Sequence, residues 1–156
     1  MANLFPTGYE TETVMPEELE SDKPIGYRNG ISFDDRAGDF RRDGMNKILT
    51  SNGVESWRSW CVNCIQTERY KHMAYNSDFG IELDKVFAAK TRDEAESILT
   101  RQITEALLAD PYQRTEYIDK IEYDWTAPDA VVANATVYGI AGVTLDIIAY
   151  ITKGGV

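Results

Sequence analysis

From Thr115 to Ile151 the apolar residues recur at every second position, in three runs separated by turn-forming residues. A period of two puts alternate side chains on opposite faces of a strand, so each run has one face fit for a core. In the first run Tyr117, Ile121, Tyr123 and Trp125 share a face, opposite Lys120, Glu122 and Asp124. Ala127-Pro128-Asp129 is a turn. Residues 131–138 (VVANATVY) and 143–151 (VTLDIIAYI) are two further strands, joined by Gly139-Ile140-Ala141-Gly142. Val143, Leu145, Ile147, Ala149 and Ile151 give the last strand a fully apolar face. Short connections make this a meander, and its apolar face needs a covering layer.

Two helical patterns precede it. Asn52 is an N-cap, with Glu55 where a capping box closes; Val54, Trp57, Cys61, Cys64 and Ile65 then form one stripe, and the helix ends near Thr67. The second helix opens at Thr91-Arg92-Asp93-Glu94, another capping box with an acidic first turn. Ala95, Ile98, Leu99, Ile103, Ala106 and Leu107 make its buried face, Glu94, Arg101 and Glu105 point out, and Asp110-Pro111 stops it. Residues 84–90 read as a short helical turn. Residues 39–53 (DFRRDGMNKILTSNG) read as a hairpin turning at Asp43-Gly44. The fold class is α+β: an N-terminal hairpin and two helices packed on one face of an antiparallel sheet that ends in a three-stranded meander.

Residues 1–35 have another texture, with Pro16, Pro24, clustered acids and an Asn29-Gly30 turn signal. They read either as a solvated tail or as an extended arm anchored by Leu4, Phe5, Tyr9 and Tyr27, with residues 36–156 as the domain and its pattern starting near Ile31. The net charge of -10 repels phosphate backbones, which argues against nucleic acid and suits basic protein partners. No apolar run approaches the ~20 residues of a membrane span. The opening MANLFPTGYETE lacks the basic and apolar regions of a signal peptide. Two cysteines make no disulfide framework, as expected in a reducing compartment.

The stretch 66–83, QTERYKHMAYNSDFGIEL, holds the only histidine and poses the sharpest functional question. Glu68, His72 and Asp78 invite an acid–base reading, and Glu68 with Asp78 or Glu82 a glycosidase pair. Such a pair needs carboxylates held ~5–10 Å apart across a cleft, one of them in an apolar pocket, and nothing in the sequence supplies that. His72 has no nucleophile elbow to serve. Cys61-x-x-Cys64 lies late in its helix, where the dipole opposes a thiolate, so both sulfurs read as small core residues. Neither a metal nor a cofactor is expected. Asp78-Phe79-Gly80 is a tight corner, with glycine free to take positive φ and Phe79 buried beneath.

The ordered set resembles the baseplate-wedge, or sheath-initiator, family of contractile phage tails, once labelled lysozyme-like. The likeness covers roughly residues 39–150 and is strongest to the branch of phages and tail-like bacteriocins of Gram-positive bacteria. It is carried by Ser56-Trp57-Arg58-Ser59-Trp60-Cys61 running into Thr67-Glu68-Arg69-Tyr70, and by Tyr75-Asn76-Ser77-Asp78-Phe79-Gly80-Ile81-Glu82-Leu83. Glu105-Ala106-Leu107-Leu108 with Asp110-Pro111, and the strand Asp119-Lys120-Ile121-Glu122-Tyr123, complete it. The family's Glu-Pro-Arg motif has its counterpart in Asp110, Pro111 and Arg114, with Tyr112 and Gln113 intervening. No proline precedes the Phe-Gly corner, where the family often has one.

The resemblance implies a structural virion protein rather than an enzyme, a peptidoglycan hydrolase being the alternative. It implies wedge proteins gripping Glu68, Arg69, Asp78, Phe79, Gly80, Asp110, Pro111 and Arg114. It implies a tail sheath segment pairing along the last strand (Val143, Leu145, Ile147, Ala149), sixfold placement with tube or hub proteins nearby, and assembly in the bacterial cytoplasm. Arg114→Glu is then expected to leave the fold intact and block incorporation into the baseplate.

Overall fold

The small residues of one strand set the thickness of the whole molecule. In the computed structural model, which describes residues 26–34 and 37–154, the C-terminal sheet has the order β5 (Thr115–Ala127), β6 (Ala130–Gly139), β7 (Thr144–Thr152), all antiparallel. Central β6 alternates strictly, burying Val131, Ala133, Ala135 and Val137. Its paired alanines let two helices come close: α1 (Gly53–Gln66) lies against β7 and α3 (Arg92–Leu108) against β5. Trp57 and Ile65 from α1, Leu99, Ile103 and Leu107 from α3, and Ile147 and Ile151 from β7 fill the layer between. Gly139 closes β6 because an added Cβ would sit 2.4 Å from the Trp57 ring. This is the expected α+β arrangement.

Both helices start where their caps predict. The Asn52 side chain accepts from Glu55 N–H at 2.8 Å and Thr91 Oγ1 from Glu94 N–H at 3.2 Å. Thr67 caps the end of α1. A five-residue helix α2 (Leu83–Phe87) overlaps the expected helical turn, starting one residue before it and ending three before its end, and buries Leu83 and Val86 against α3. One residue on the expected apolar face of α3 is polar: Gln102 is buried, and its Oε1 accepts from Glu82 N–H at 2.7 Å. That bond satisfies a backbone donor just before α2.

The sequence pattern misplaces one end of β5. Register shifts between Thr115 and Tyr117 and between Ile118 and Lys120 insert bulges. Each bulge inverts the alternation. Tyr117 therefore leaves the face of Ile121, Tyr123 and Trp125 and stacks on Tyr138, with centroids 4.5 Å apart and ring planes 7° apart. Ile118 takes its place against the core.

The Asp43 turn forms as expected, with Asp43 N–H donating to Lys47 O and Leu49 N–H to Arg41 O. Its left-handed residue is Asn46 (φ 65) rather than Gly44. Short strands β1 (Gly30–Ile31), β2 (Phe33–Asp34), β3 (Asp39–Phe40) and β4 (Thr50–Ser51) make a ribbon in which 30–34 pairs with both arms of the hairpin. Residues 26–34, placed with the arm by the sequence pattern, thus pair with the hairpin and pack on α1. Tyr27 donates to Ile140 O at 2.9 Å and packs on Trp57. Anchors Leu4, Phe5 and Tyr9 lie outside the described residues.

Both cysteines are free and fully buried, as core residues should be. Burial pushes the Cys64 thiol up to about 11 and raises that of Cys61 as well; it also raises the Tyr123 phenol, to about 12. In the unfolded chain thiols ionise near pH 9, so above that pH the unfolded state holds fewer protons than the native one, and stability falls as pH rises. The expected loss is about 1.4 kcal/mol per pH unit per thiol, continuing for Cys64 up to about pH 11. Urea midpoints between pH 8 and 10 should fall in the native chain and flatten in a Cys61→Ala/Cys64→Ala variant, the Tyr123 phenol adding its own fall only above pH 10. A flat native profile would contradict burial of the thiols.

Candidate functional site

The corner that follows α1 is built by backbone. Arg69 N–H donates to Ile81 O at 2.8 Å and Ile81 N–H to Thr67 O at 3.0 Å, a short parallel bridge across the loop. Gly80, at φ +92, is required here twice over: a Cβ would also meet Thr67 O at 2.6 Å. Arg69 Nε donates to Gly80 O at 2.9 Å, so this arginine holds the corner from inside. Phe79 is half-buried, stacked on Tyr75 with centroids 4.5 Å apart and meeting Trp60 edge to face at 5.9 Å.

The carboxylates considered for catalysis are differently placed. Glu68 pairs with Lys71 at 2.7 Å and Glu82 with Lys85 at 2.5 Å. Asp78 and His72 are exposed. Among the described residues no three His, Cys, Asp or Glu side chains converge as a metal site requires, and no helix is long and apolar enough to cross a membrane.

At the far end of α3 the chain turns through Asp110, Pro111, Tyr112 and Gln113 into β5. Arg114 forks onto Asp110, with Nε–Oδ2 and Nη2–Oδ1 both 2.8 Å, and the two side chains are 4 % and 0 % exposed. Asp110 also accepts from the Tyr112 and Arg114 amides, at 3.1 and 2.9 Å. The guanidinium lies between the rings of Tyr112 (4.9 Å) and Trp60 (5.5 Å). Asp110 and Arg114 thus spend their charges inside the chain, and the outward atoms of this loop belong to its neighbours. Trp60 links the two regions: a cleft of about 330 Å³ is bordered by Trp60, Tyr75, Asp78, Phe79 and Pro111.

The third region is the sheet border. Gly139 N–H donates to Val143 O at 2.7 Å and Lys153 N–H to Asp129 O at 2.9 Å. In an antiparallel pair, residues that exchange backbone bonds alternate with residues that do not. Those two bonds phase the ladder. Val143, Leu145, Ile147 and Ala149 bond toward β6 and turn their side chains to the helices, where Ile147 and Ala149 are fully buried. The outward N–H and C=O groups belong to the other parity: Thr144, Asp146, Ile148, Tyr150 and Thr152. Sequence periodicity pointed to the apolar set and missed this one; its signal was Ile148 and Tyr150, apolar residues at positions meant for solvent, 52 % and 62 % exposed.

Among the described residues nothing pairs with the outer side of β7. The outer side of β5 is open too, but it is bulged and carries exposed Glu116, Asp119, Lys120, Glu122 and Asp124. Charges and bulges of this kind deter pairing. Only Asp146 interrupts β7, and it is occupied by Thr136 Oγ1 at 2.9 Å.

An α+β domain with helices on one face and one unblunted strand presents surfaces on which other chains can dock. The sequence matches the family model of the contractile injection system sheath initiator over residues 30–142, well over half of its length, and the chain belongs to that family. The matched span runs from β1 through the turn after β6; β7 begins just beyond it. A search of curated proteins finds no significant match.

Proposed function

We propose that this chain joins the baseplate wedge to the first ring of sheath subunits and starts sheath polymerisation by accepting an extended sheath segment as a further strand on β7. The open border of β7 carries this reading: its backbone groups form a ready template, and no strand among the described residues pairs with its outer side. The wedge side is the cleft that unites Asp78, Phe79 and Pro111, with Glu68, Arg69 and Gly80 holding its shape and the Asp110–Arg114 pair fixing the loop. Sixfold placement around the tube, beside tube or hub proteins, and assembly in the bacterial cytoplasm are part of the same proposal, in keeping with the family. A net charge of -10 suits basic protein faces and disfavours nucleic acid. No observation favours a hydrolase.

Amide hydrogen exchange tests the strand reading directly. When sheath protein is added, the amides of Thr144, Asp146, Ile148, Tyr150 and Thr152 should gain protection of at least tenfold, while those of Leu145, Ile147 and Ala149 stay as they were. Protection confined to β5, or spread without parity, would remove the proposal.

A further inference from the structure

The border of β7 adjoins a large hollow among the described residues. A groove of about 1030 Å³ runs along one stripe of α1 (Ser56, Ser59, Trp60, Asn63), walled by the ribbon and by the corner, with Tyr150 of β7 and Gly154 just beyond it at the margin. Its sides carry Phe33, Phe40 and Tyr75, and Phe40 and Tyr75 are 43 % and 51 % exposed. Exposed aromatic rings gathered on one concavity mark a contact site. α1 runs alongside β7 in the same direction: Trp57 near its start touches Gly139, and Lys71 beyond its end donates to Gly154 O at 3.1 Å.

These facts fix what can lie there. A strand added to β7 sits ~4.8 Å outside it, above the flank of α1. Residues directly opposite each other in a sheet point to the same face. Incoming residues opposite Ile147, Ala149 and Ile151 therefore turn toward the helices, into the groove, and those opposite Ile148 and Tyr150 turn to the outer face. A docked helix could not use the β7 amides, which excludes it as the better occupant.

We infer that the groove along α1 selects the sequence of the incoming strand, taking a large apolar side chain at a helix-facing position against Trp60, Phe33 and Tyr75. This rests on the strand-addition reading and adds side-chain recognition to it. Backbone pairing alone accepts almost any extended segment; the groove supplies discrimination.

The test uses the full chain and fluorescein-labelled ten-residue peptides tiling the extended terminal segments of the cognate sheath protein. The binding peptide should lose about tenfold or more in affinity when its groove-facing apolar residue becomes serine, and little when the outer-facing neighbour does. Ser59→Trp, which fills the groove from a half-buried position on its α1 wall, should weaken binding by a similar factor with the melting temperature within a few degrees of the native chain. Binding blocked by Ile148→Pro yet indifferent to Ser59→Trp and to the serine peptides would overturn the groove and leave the strand. Binding indifferent to Ile148→Pro as well would overturn both. A full chain that sediments as a dimer and becomes monomeric on Ser59→Trp would assign the groove to a second copy. A photo-crosslinker at position 59 that captures residues 1–25 of the same chain would assign it to that segment. Either result overturns the inference.

Discussion

Arg114→Glu is expected to lower the stability of the domain by about 3–5 kcal/mol, enough to shift the melting temperature by an order of 10–20 °C. The reason is the burial of the pair. Asp110 has no exposed side-chain surface and Arg114 has 4 %, so neither charge has water to fall back on. Removing the guanidinium strands a buried carboxylate, and substituting glutamate sets a like charge beside it. This reverses the expectation from sequence, in which Arg114 faced a partner and its replacement spared the fold. Arg114→Lys should fall between, because a point charge keeps the Coulomb attraction and loses the planar fork.

An apolar double replacement should not fully restore the loss. Asp110 also accepts from the amides of Tyr112 and Arg114, and those donors would be left without an acceptor. The loop matters beyond its own strength, since Arg114 O accepts from Ile140 N–H at 2.9 Å and so ties the end of α3 to the β6–β7 turn. Urea denaturation of the three variants measures this. If Arg114→Glu kept its midpoint within error, the pair would be dispensable to the fold and free to serve a partner.

What the sequence disclosed divides along a physical line. The helices and the meander were legible because caps and periodicity are local: Asn52 and Thr91 act on amides three residues away, and alternation needs only neighbours. The family likeness was legible for the same reason, as an ordered set of local patterns. Tyr117 was misplaced because a bulge is decided by what the partner strand tolerates, and β6 lies beyond the next turn. Asp110 and Arg114 looked like loop residues because their burial comes from Trp60, fifty residues earlier in the chain, and from the ring of Tyr112. Gln102 and the ribbon pairing of residues 30–34 were hidden likewise: both depend on a distant partner.

The phase of β7 was the most consequential omission, and it makes the second prediction sharp. Ile147 and Ile148 are adjacent, identical and both in the middle of one strand, yet proline should do opposite things to them. At 148 the amide faces outward, so its loss breaks no bond to β6, and proline is tolerated at an edge position of this kind. The ring then fills the space where an added strand would lie and removes a donor it needs. Ile148→Pro should therefore melt within a few degrees of the native chain and fail to nucleate sheath, a loss on the order of a hundredfold in initiation rate. At 147 the amide is turned to β6 and the side chain is 1 % exposed. Ile147→Pro removes a ladder bond and a core residue together, for a loss of about 3 kcal/mol or more. Sheath polymerisation followed by light scattering, with melting curves beside it, separates the two. Equal destabilisation by both would mean the ladder is phased otherwise. A stable Ile148→Pro chain that nucleates normally would mean that β7 receives no strand, and the junction with the sheath would have to be sought on another face.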